Sequence, residues 1–260
     1  MIEFSGVTRR YGQKTAVDQF SLRIEPGQLF ALLGHNGAGK TTTIKMLVGL
    51  LRPDQGTVRV CGHNVVETPR EAVLCMGYVP DEPYLYDKLT AREFLLFAGE
   101  IRGLDARTTR ERVEREVERF ELGSFLDELM ETYSHGMRQR VVLSSALLHD
   151  PTVLIIDEPM VGLDPRSMRM VKDLLRQQAN SGTTVFISTH TLTVAEEIAD
   201  RIGILDHGRL RFLGTKQELQ AEVCSTTTSL EQLFLDLTNG HAQEPGAVGM
   251  PSVAAAASKQ

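Results

Sequence analysis

One stretch constrains this chain more than any other: Gly34-His35-Asn36-Gly37-Ala38-Gly39-Lys40-Thr41, set between the apolar run Leu29 to Leu33 and the helix-like Ile44-Lys45-Met46-Leu47. It fits GxxxxGK[ST], a phosphate-binding P-loop when a strand precedes it and a helix follows. Glycine opening a helix costs about 1 kcal/mol per residue relative to alanine, so three of them need a compensating role. That role is to let successive backbone N–H groups curl around a phosphate, with the helix dipole adding roughly half a positive charge. Lys40 then reaches the β- and γ-phosphates, and the Thr41 hydroxyl suits magnesium. Gly34, Asn36, Gly37, Ala38, Gly39, Lys40, Thr41 and Thr42 are the expected nucleotide-binding residues.

Val153-Leu154-Ile155-Ile156-Asp157-Glu158 supplies a second half, an apolar strand that delivers carboxylates to its C-terminal end. Alone, this is also how a solvated strand end looks. Downstream of a P-loop, Asp157 is expected to hold magnesium, because hard cations take oxygen ligands. Glu158, pointing elsewhere along the pleat, is placed to orient or deprotonate water.

The rest of the pattern is α/β. Strand-like runs at Ile2–Phe4, Phe20–Ile24, Leu29–Leu33 and Thr57–Val60 read as an antiparallel or mixed β layer. Thr152–Ile156 and Thr183–Ile187 read as buried parallel strands in βα units. Between Thr90 and Leu148 proline is absent and Val113, Val117 and Phe120 recur at helical spacing, which predicts a helical insert. Ile202–Leu205 and Arg209–Leu213 form an expected strand pair around Asp206-His207-Gly208. The expected organisation is a domain over residues 1–220, with its core in 1–80 and 145–220 and its insert in about 83–145. A C-terminal helix follows at 221–238, with an apolar face at Leu230, Leu233, Phe234 and Leu237. Residues 239–260 lack aromatics and read as a disordered tail.

Composition removes several function classes. With 42% hydrophobic and 24% charged residues in 260, the chain is that of a globular protein needing no staples. Lys and Arg number 28 against 34 Asp and Glu, a net charge of −6, so direct nucleic-acid binding is not expected. No apolar stretch approaches the roughly 18–20 residues that cross a bilayer. The N-terminal Met1-Ile2-Glu3-Phe4 lacks a secretory pattern, and a cytosolic location is expected. Cys61, Cys75 and Cys224 show no paired metal-ligand spacing and read as packing residues.

Over about Met1 to Leu219 the chain resembles the nucleotide-binding subunit of ATP-binding cassette (ABC) transporters. The family usually shows an LSGGQ signature; Tyr133-Ser134-His135-Gly136-Met137 stands in its place, before Arg138-Gln139-Arg140. Val161-Gly162-Leu163-Asp164 resembles the family's D-loop, and read alone Asp164 caps a helix opened by Pro165. Ser188-Thr189-His190 resembles its switch histidine segment. Tyr11, before Gly12, resembles the aromatic that stacks on adenine. Asp81, after Met76-Gly77-Tyr78-Val79-Pro80, stands where the family commonly has a magnesium-touching glutamine, and it still offers oxygen to a hard cation.

The resemblance implies a P-loop NTPase (RecA-like) core with an N-terminal antiparallel β layer and an inserted α-helical subdomain. It implies ATP and Mg2+, with Lys40, Glu158 and His190 catalytic and Thr41, Asp81 and Asp157 at the metal. It also implies a homodimer or a paired nucleotide-binding subunit, in which the nucleotide on one subunit is capped by Ser134 and Gly136 of the other, with Asp164 at the nucleotide on the D-loop that crosses the interface. The partner to be driven is a transmembrane permease, which places the chain on the inner face of the cell membrane; Tyr84, Leu85, Tyr86 and Leu89 are the apolar candidates for its docking groove, and read alone they equally suit packing within the insert. The Pro80-Asp81-Glu82-Pro83 variant and the signature resemble the subclass serving drug, sodium or polysaccharide exporters. Two other readings stay open here: a soluble ABC ATPase acting on ribosomes or DNA, and a nucleotide-dependent regulatory module.

Overall fold

The computed structural model describes the backbone of residues 1–82 and 84–226, and side chains as far as residue 221. The chain opens with β1 (Ile2–Tyr11), β2 (Lys14–Ile24), β3 (Leu29–Leu33) and helix α1 (Lys40–Leu47). Strands β4 (Gln55–Val60) and β5 (His63–Asn64), helix α2 (Pro69–Leu74) and β6 (Met76–Val79) follow. A helical segment comprises α3 (Ala91–Ile101), α4 (Ala106–Arg119) and α5 (His135–Leu147). The chain then alternates: β7 (Val153–Asp157), α6 (Pro165–Asn180), β8 (Thr184–Thr189), α7 (Leu192–Ile198), the strand pair β9 (Arg201–Asp206) and β10 (Arg209–Gly214), and α8 (Lys216–Thr226). The Leu230–Leu237 face and the 239–260 segment lie outside the described residues.

Two sheets organise these elements. One is antiparallel with order β2-β1-β4-β5; the other runs β10-β9-β3-β8-β7-β6, parallel except where β10 meets β9. Every residue of β3, β7 and β8 is buried, as expected of central strands covered on both faces. The two faces alternate along β3: Leu29, Ala31 and Leu33 join the core with α5, α6 and α7, whereas Phe30 and Leu32 join the core beneath the antiparallel sheet and α1.

Here the structure corrects a sequence expectation. Leu29–Leu33 is not part of the N-terminal β layer; it is the middle of the six-stranded sheet, paired in parallel with β8 and β9. The physical reason is its unbroken apolarity: an edge or one-sided strand would alternate with polar residues, and this one does not.

Strand order sets up the site. The carboxyl ends of β3, β8, β7 and β6 are neighbours, with Leu33 opposite Thr189, Asp157 opposite Ser188, and Val79 opposite Ile156. Open α/β sheets bind ligands beyond these ends. Helix starts on this side are set by side chains: Ser134 accepts from Met137 N at the start of α5, and Asp164 accepts from Arg166 N and Ser167 N at the start of α6.

Candidate nucleotide site

Gly39 is the residue before α1 and adopts φ 113°, a conformation that L side chains rarely take. A Cβ there would also stand 2.5 Å from the Ala16 carbonyl oxygen. No side chain caps the helix, so its first N–H groups face the cleft without an internal partner. The Lys40 ammonium, nearly buried, is held by the carbonyl oxygens of Gly34 at 2.7 Å and His35 at 3.4 Å, and by Glu158 Oε1 at 3.3 Å. An open cleft of about 300 Å³ lies above this loop, bounded among others by Tyr11, Asn36, Lys40, Thr41, Asp81 and Glu158. Gly37, Gly39 and Thr42 line it as well.

Asp157 ends β7 fully inside the protein. The Ser188 hydroxyl donates to its Oδ1, and the same hydroxyl oxygen accepts from Glu158 N at 3.1 Å. Burial pushes the Asp157 carboxyl above the usual range; the Ser188 hydroxyl opposes this, while the charges of Asp81 and Glu158 add to it. Asp81 is raised as well, by burial first and then by Glu158 and Glu82. Next to them, the Tyr78 phenol is pushed up to about 12 by burial and by Asp157 and Asp81. Three carboxylates thus influence one another electrostatically here, with the Lys40 ammonium on Glu158. Two of them, with the Thr41 hydroxyl, make a hard-oxygen donor set that fits a small dication such as Mg2+.

Glu158 does not continue the pleat as the sequence pattern implies. Its backbone turns into the left-handed region at φ 49°, which takes the side chain off the strand line and into the cleft. Such a conformation costs on the order of 1–3 kcal/mol in a non-glycine residue and persists where surrounding contacts enforce it. Here the enforcing contacts are the Ser188 hydroxyl on its N–H, Lys40 on Oε1 and His190, whose Nδ1 lies 3.0 Å from Oε2.

The remaining sequence-predicted residues fall into two groups. Gly34 and Ala38 are buried behind the loop, and Tyr11, 47% exposed, stands at the cleft with the Arg9 guanidinium 5.1 Å from its ring centroid. Ser134, Gly136 and Asp164 do not border the cleft. Ser134 and Gly136 sit at the first turn of α5, where a Cβ on Gly136 would meet nothing within 4 Å. Asp164 receives Ser167 Oγ at 2.6 Å together with two backbone N–H groups, and these donors hold its carboxyl below the usual range. His135 reaches the carbonyl of Val161 at 3.3 Å, tying the α5 start to the turn before α6. Tyr133 is a packing residue: its hydroxyl donates to the carbonyls of Phe125 at 2.6 Å and Glu128 at 3.1 Å.

Four residues at the site carried no assignment from sequence: Ser188, which links both β7 acids, and Lys14, Ala16 and His35, which border the cleft. Ser188 had a signal in its position two residues before His190. Lys14 and Ala16 had none, because only the fold brings β2 to the loop.

Residues 17–161 match the family described as ABC transporter. The daunorubicin/doxorubicin resistance ATP-binding protein DrrA of Streptomyces peucetius is 40% identical over 229 residues, 88% of this chain and 69% of that protein. The Nod factor export ATP-binding protein I of Paraburkholderia xenovorans (strain LB400) is 41% identical over 208 residues, 80% of this chain and 68% of that protein. A solved structure of an ATP binding subunit of an ABC transporter superimposes with a TM-score of 0.84 at 31% identity, covering 91% of this chain and 99% of that one.

Proposed function

The chain belongs to the ABC transporter family, and on that premise we propose that it is the ATP-hydrolysing subunit of an exporter, working as a dimer beneath a membrane permease. The observation that carries the catalytic part is the placement of Glu158, with one carboxylate oxygen at Lys40 and the other at His190.

ATP is the substrate, its polyphosphate on the Gly34–Thr42 loop and its base against Tyr11. A triphosphate outcompetes two carbonyls and one carboxylate for the Lys40 ammonium, since charge-assisted bonds to phosphate are among the strongest available. As Lys40 turns to the β- and γ-phosphates, Glu158 Oε1 is released while His190 keeps Oε2 in place. The freed oxygen accepts a proton from water; the water oxygen bonds to the γ-phosphorus, and the bond to the β–γ bridging oxygen breaks, leaving its electron pair on ADP. Mg2+, held by Thr41, Asp157 and Asp81, supplies neutralisation of phosphate charge when bound.

Ser134 and Gly136 lie away from their own cleft, so the nucleotide they serve belongs to a partner subunit, identical or paired. A helix start with a bare glycine and a hydroxyl is suited to a terminal phosphate. Closure on ATP and opening after hydrolysis is then the usable motion. Asp164, with the turn before α6, lies against the partner.

The permease grips the loop after β6. Tyr84 is 83% exposed, and Tyr86 stands 6.2 Å from the Phe94 ring and 6.0 Å from Phe97. Asp87 joins Arg138 of α5 at 2.8 Å, so a pull on this loop reaches the helix that carries Ser134 and Gly136. No helix among the described residues is long and apolar enough to cross a membrane; in this reading the permease holds the chain at the cytoplasmic face. Export is supported by what the relatives' names state. The test is ATP hydrolysis by the purified chain, alone and in vesicles with the membrane protein that co-purifies with it. Turnover stimulated by that protein supports the reading; absence of hydrolysis in both preparations overturns it.

A further inference from the structure

Beside the phosphate loop, but outside the chemistry above, three side chains converge: His35 from the loop, and Asp206 and His207 from the turn between β9 and β10. One donor atom from each lies within 4.8 Å of the other two. Asp206 is wholly buried; its Oδ1 faces the two histidines, while its Oδ2 makes no hydrogen bond and is ion-paired with Arg211 Nε at 3.5 Å. A buried carboxylate left short of partners is costly, and its site needs an explanation.

The tautomer of His35 sharpens the problem. Its Nδ1 is 2.7 Å from the carbonyl oxygen of Asn36, an atom that can only accept, so Nδ1 carries the proton. In the neutral ring Nε2 then presents a lone pair, and it points at Asp206 Oδ1, another acceptor, 3.1 Å away. His207 Nε2 lies 3.7 Å from the same oxygen. Asp206 Oδ1 thus faces His35 Nε2 and His207 Nε2, and a cation bound among the three atoms would relieve the opposition of lone pairs at His35. An imidazole whose Nδ1–H is fixed by a backbone carbonyl, leaving Nε2 free, is the arrangement that orients metal-ligating histidines.

We propose that His35, Asp206 and His207 form a binding site for one divalent transition-metal ion of the zinc class. Tetrahedral coordination with bonds of about 2.0–2.1 Å separates ligand atoms by about 3.3–3.4 Å, and the distances of 3.1 and 3.7 Å from Asp206 Oδ1 to the two imidazole nitrogens bracket that value. His207, 73% exposed, is free to rotate to complete the third edge, and solvent supplies the fourth ligand. Two imidazoles and one carboxylate select Zn2+ over Mg2+, which separates this site from the oxygen donors at Thr41, Asp81 and Asp157. The ion braces the loop against the β9–β10 turn, which already holds it through Gly208 N donating to Ala38 O at 2.8 Å.

The test is a zinc titration of the full chain against a chromophoric chelator, without nucleotide and with excess Mg2+, followed by Co2+ substitution read by visible absorption. One ion per chain and an intense tetrahedral Co2+ band are expected. The exposed His207→Ala is expected to weaken binding by about tenfold or more and to remove the band. Asp206→Asn is expected to do the same, and His207→Ala carries the conclusion if the buried variant fails to fold. No tight binding by the parent chain, meaning that a protonated His35 alone offsets Asp206, overturns the proposal. So does zinc affinity unchanged in His207→Ala.

Discussion

The Lys40 ammonium lies 3.3 Å from Glu158 Oε1, joining the P-loop to the residue that follows the buried acid of β7. The pair is nearly enclosed, so its Coulomb attraction is little screened by solvent. It fixes Lys40 and Glu158 in one arrangement and gives a triphosphate a definite bond to replace. Lys40→Ala is therefore expected to abolish ATP binding measured by fluorescent-nucleotide titration, and Lys40→Arg to restore it only in part, since a planar fork does not reproduce a point charge in a tight loop. Unchanged affinity in Lys40→Ala removes this residue from the site.

Ser188 is the hinge between the two acids. Ser188→Ala leaves the Asp157 carboxylate and the Glu158 N–H without their shared partner, a loss of about 1–3 kcal/mol. Denaturant unfolding is expected to show that decrease, and ATP turnover is expected to fall because Glu158 loses the contact that keeps its left-handed turn. Full turnover with lowered stability would separate Ser188 from catalysis.

Asp157 and Asp81 carry carboxyls raised by burial first, with the charges of Asp81 and Glu158 adding at Asp157 and those of Glu158 and Glu82 adding at Asp81. A carboxyl whose pKa is higher in the fold than in the unfolded chain favours the fold at low pH and loses that contribution as pH rises through the raised value. Asp157→Asn and Asp81→Asn lack this loss. Each is expected to gain stability relative to the parent as pH rises from about 4 toward 7.5 without Mg2+ or nucleotide, in urea titrations. A gain that shrinks with rising pH contradicts the assignment.

Glycine substitutions grade the loop. Gly39→Ala combines φ 113° with a backbone oxygen 2.5 Å from the new Cβ, whereas Gly37→Ala combines φ 86° with open space. The first is expected to lower thermal stability and abolish nucleotide binding. The second is expected to cost about 1 kcal/mol of strain and leave the fold nearly as stable. Equal melting temperatures for the two would contradict the close approach of β2.

The legible parts of the chain were those whose chemistry is local. The P-loop can be read because its glycines, lysine and threonine are consecutive, and β7 because its apolar run ends directly in Asp157 and Glu158. What stayed hidden depends on long separations. Ser188 meets Asp157 across 31 residues and His35 meets Asp206 across 171, and neither spacing leaves a pattern in the chain. The left-handed turn at Glu158 was invisible because the residue type disfavours it. The central place of Leu29–Leu33 was masked by nearby strands of the other sheet, although its unbroken apolarity was the available signal.

The central claim is that two copies clasp ATP between them and part when its terminal bond breaks. Glu158→Gln retains the side-chain shape and removes the base, which typically slows such a step by about a hundredfold to ten-thousandfold. Size-exclusion chromatography with light scattering, run on this variant with ATP and Mg2+, tests the claim most directly. The account predicts a dimer that persists with ATP and dissociates when ADP replaces it; a monomer under both conditions, with ATP binding intact, would contradict it.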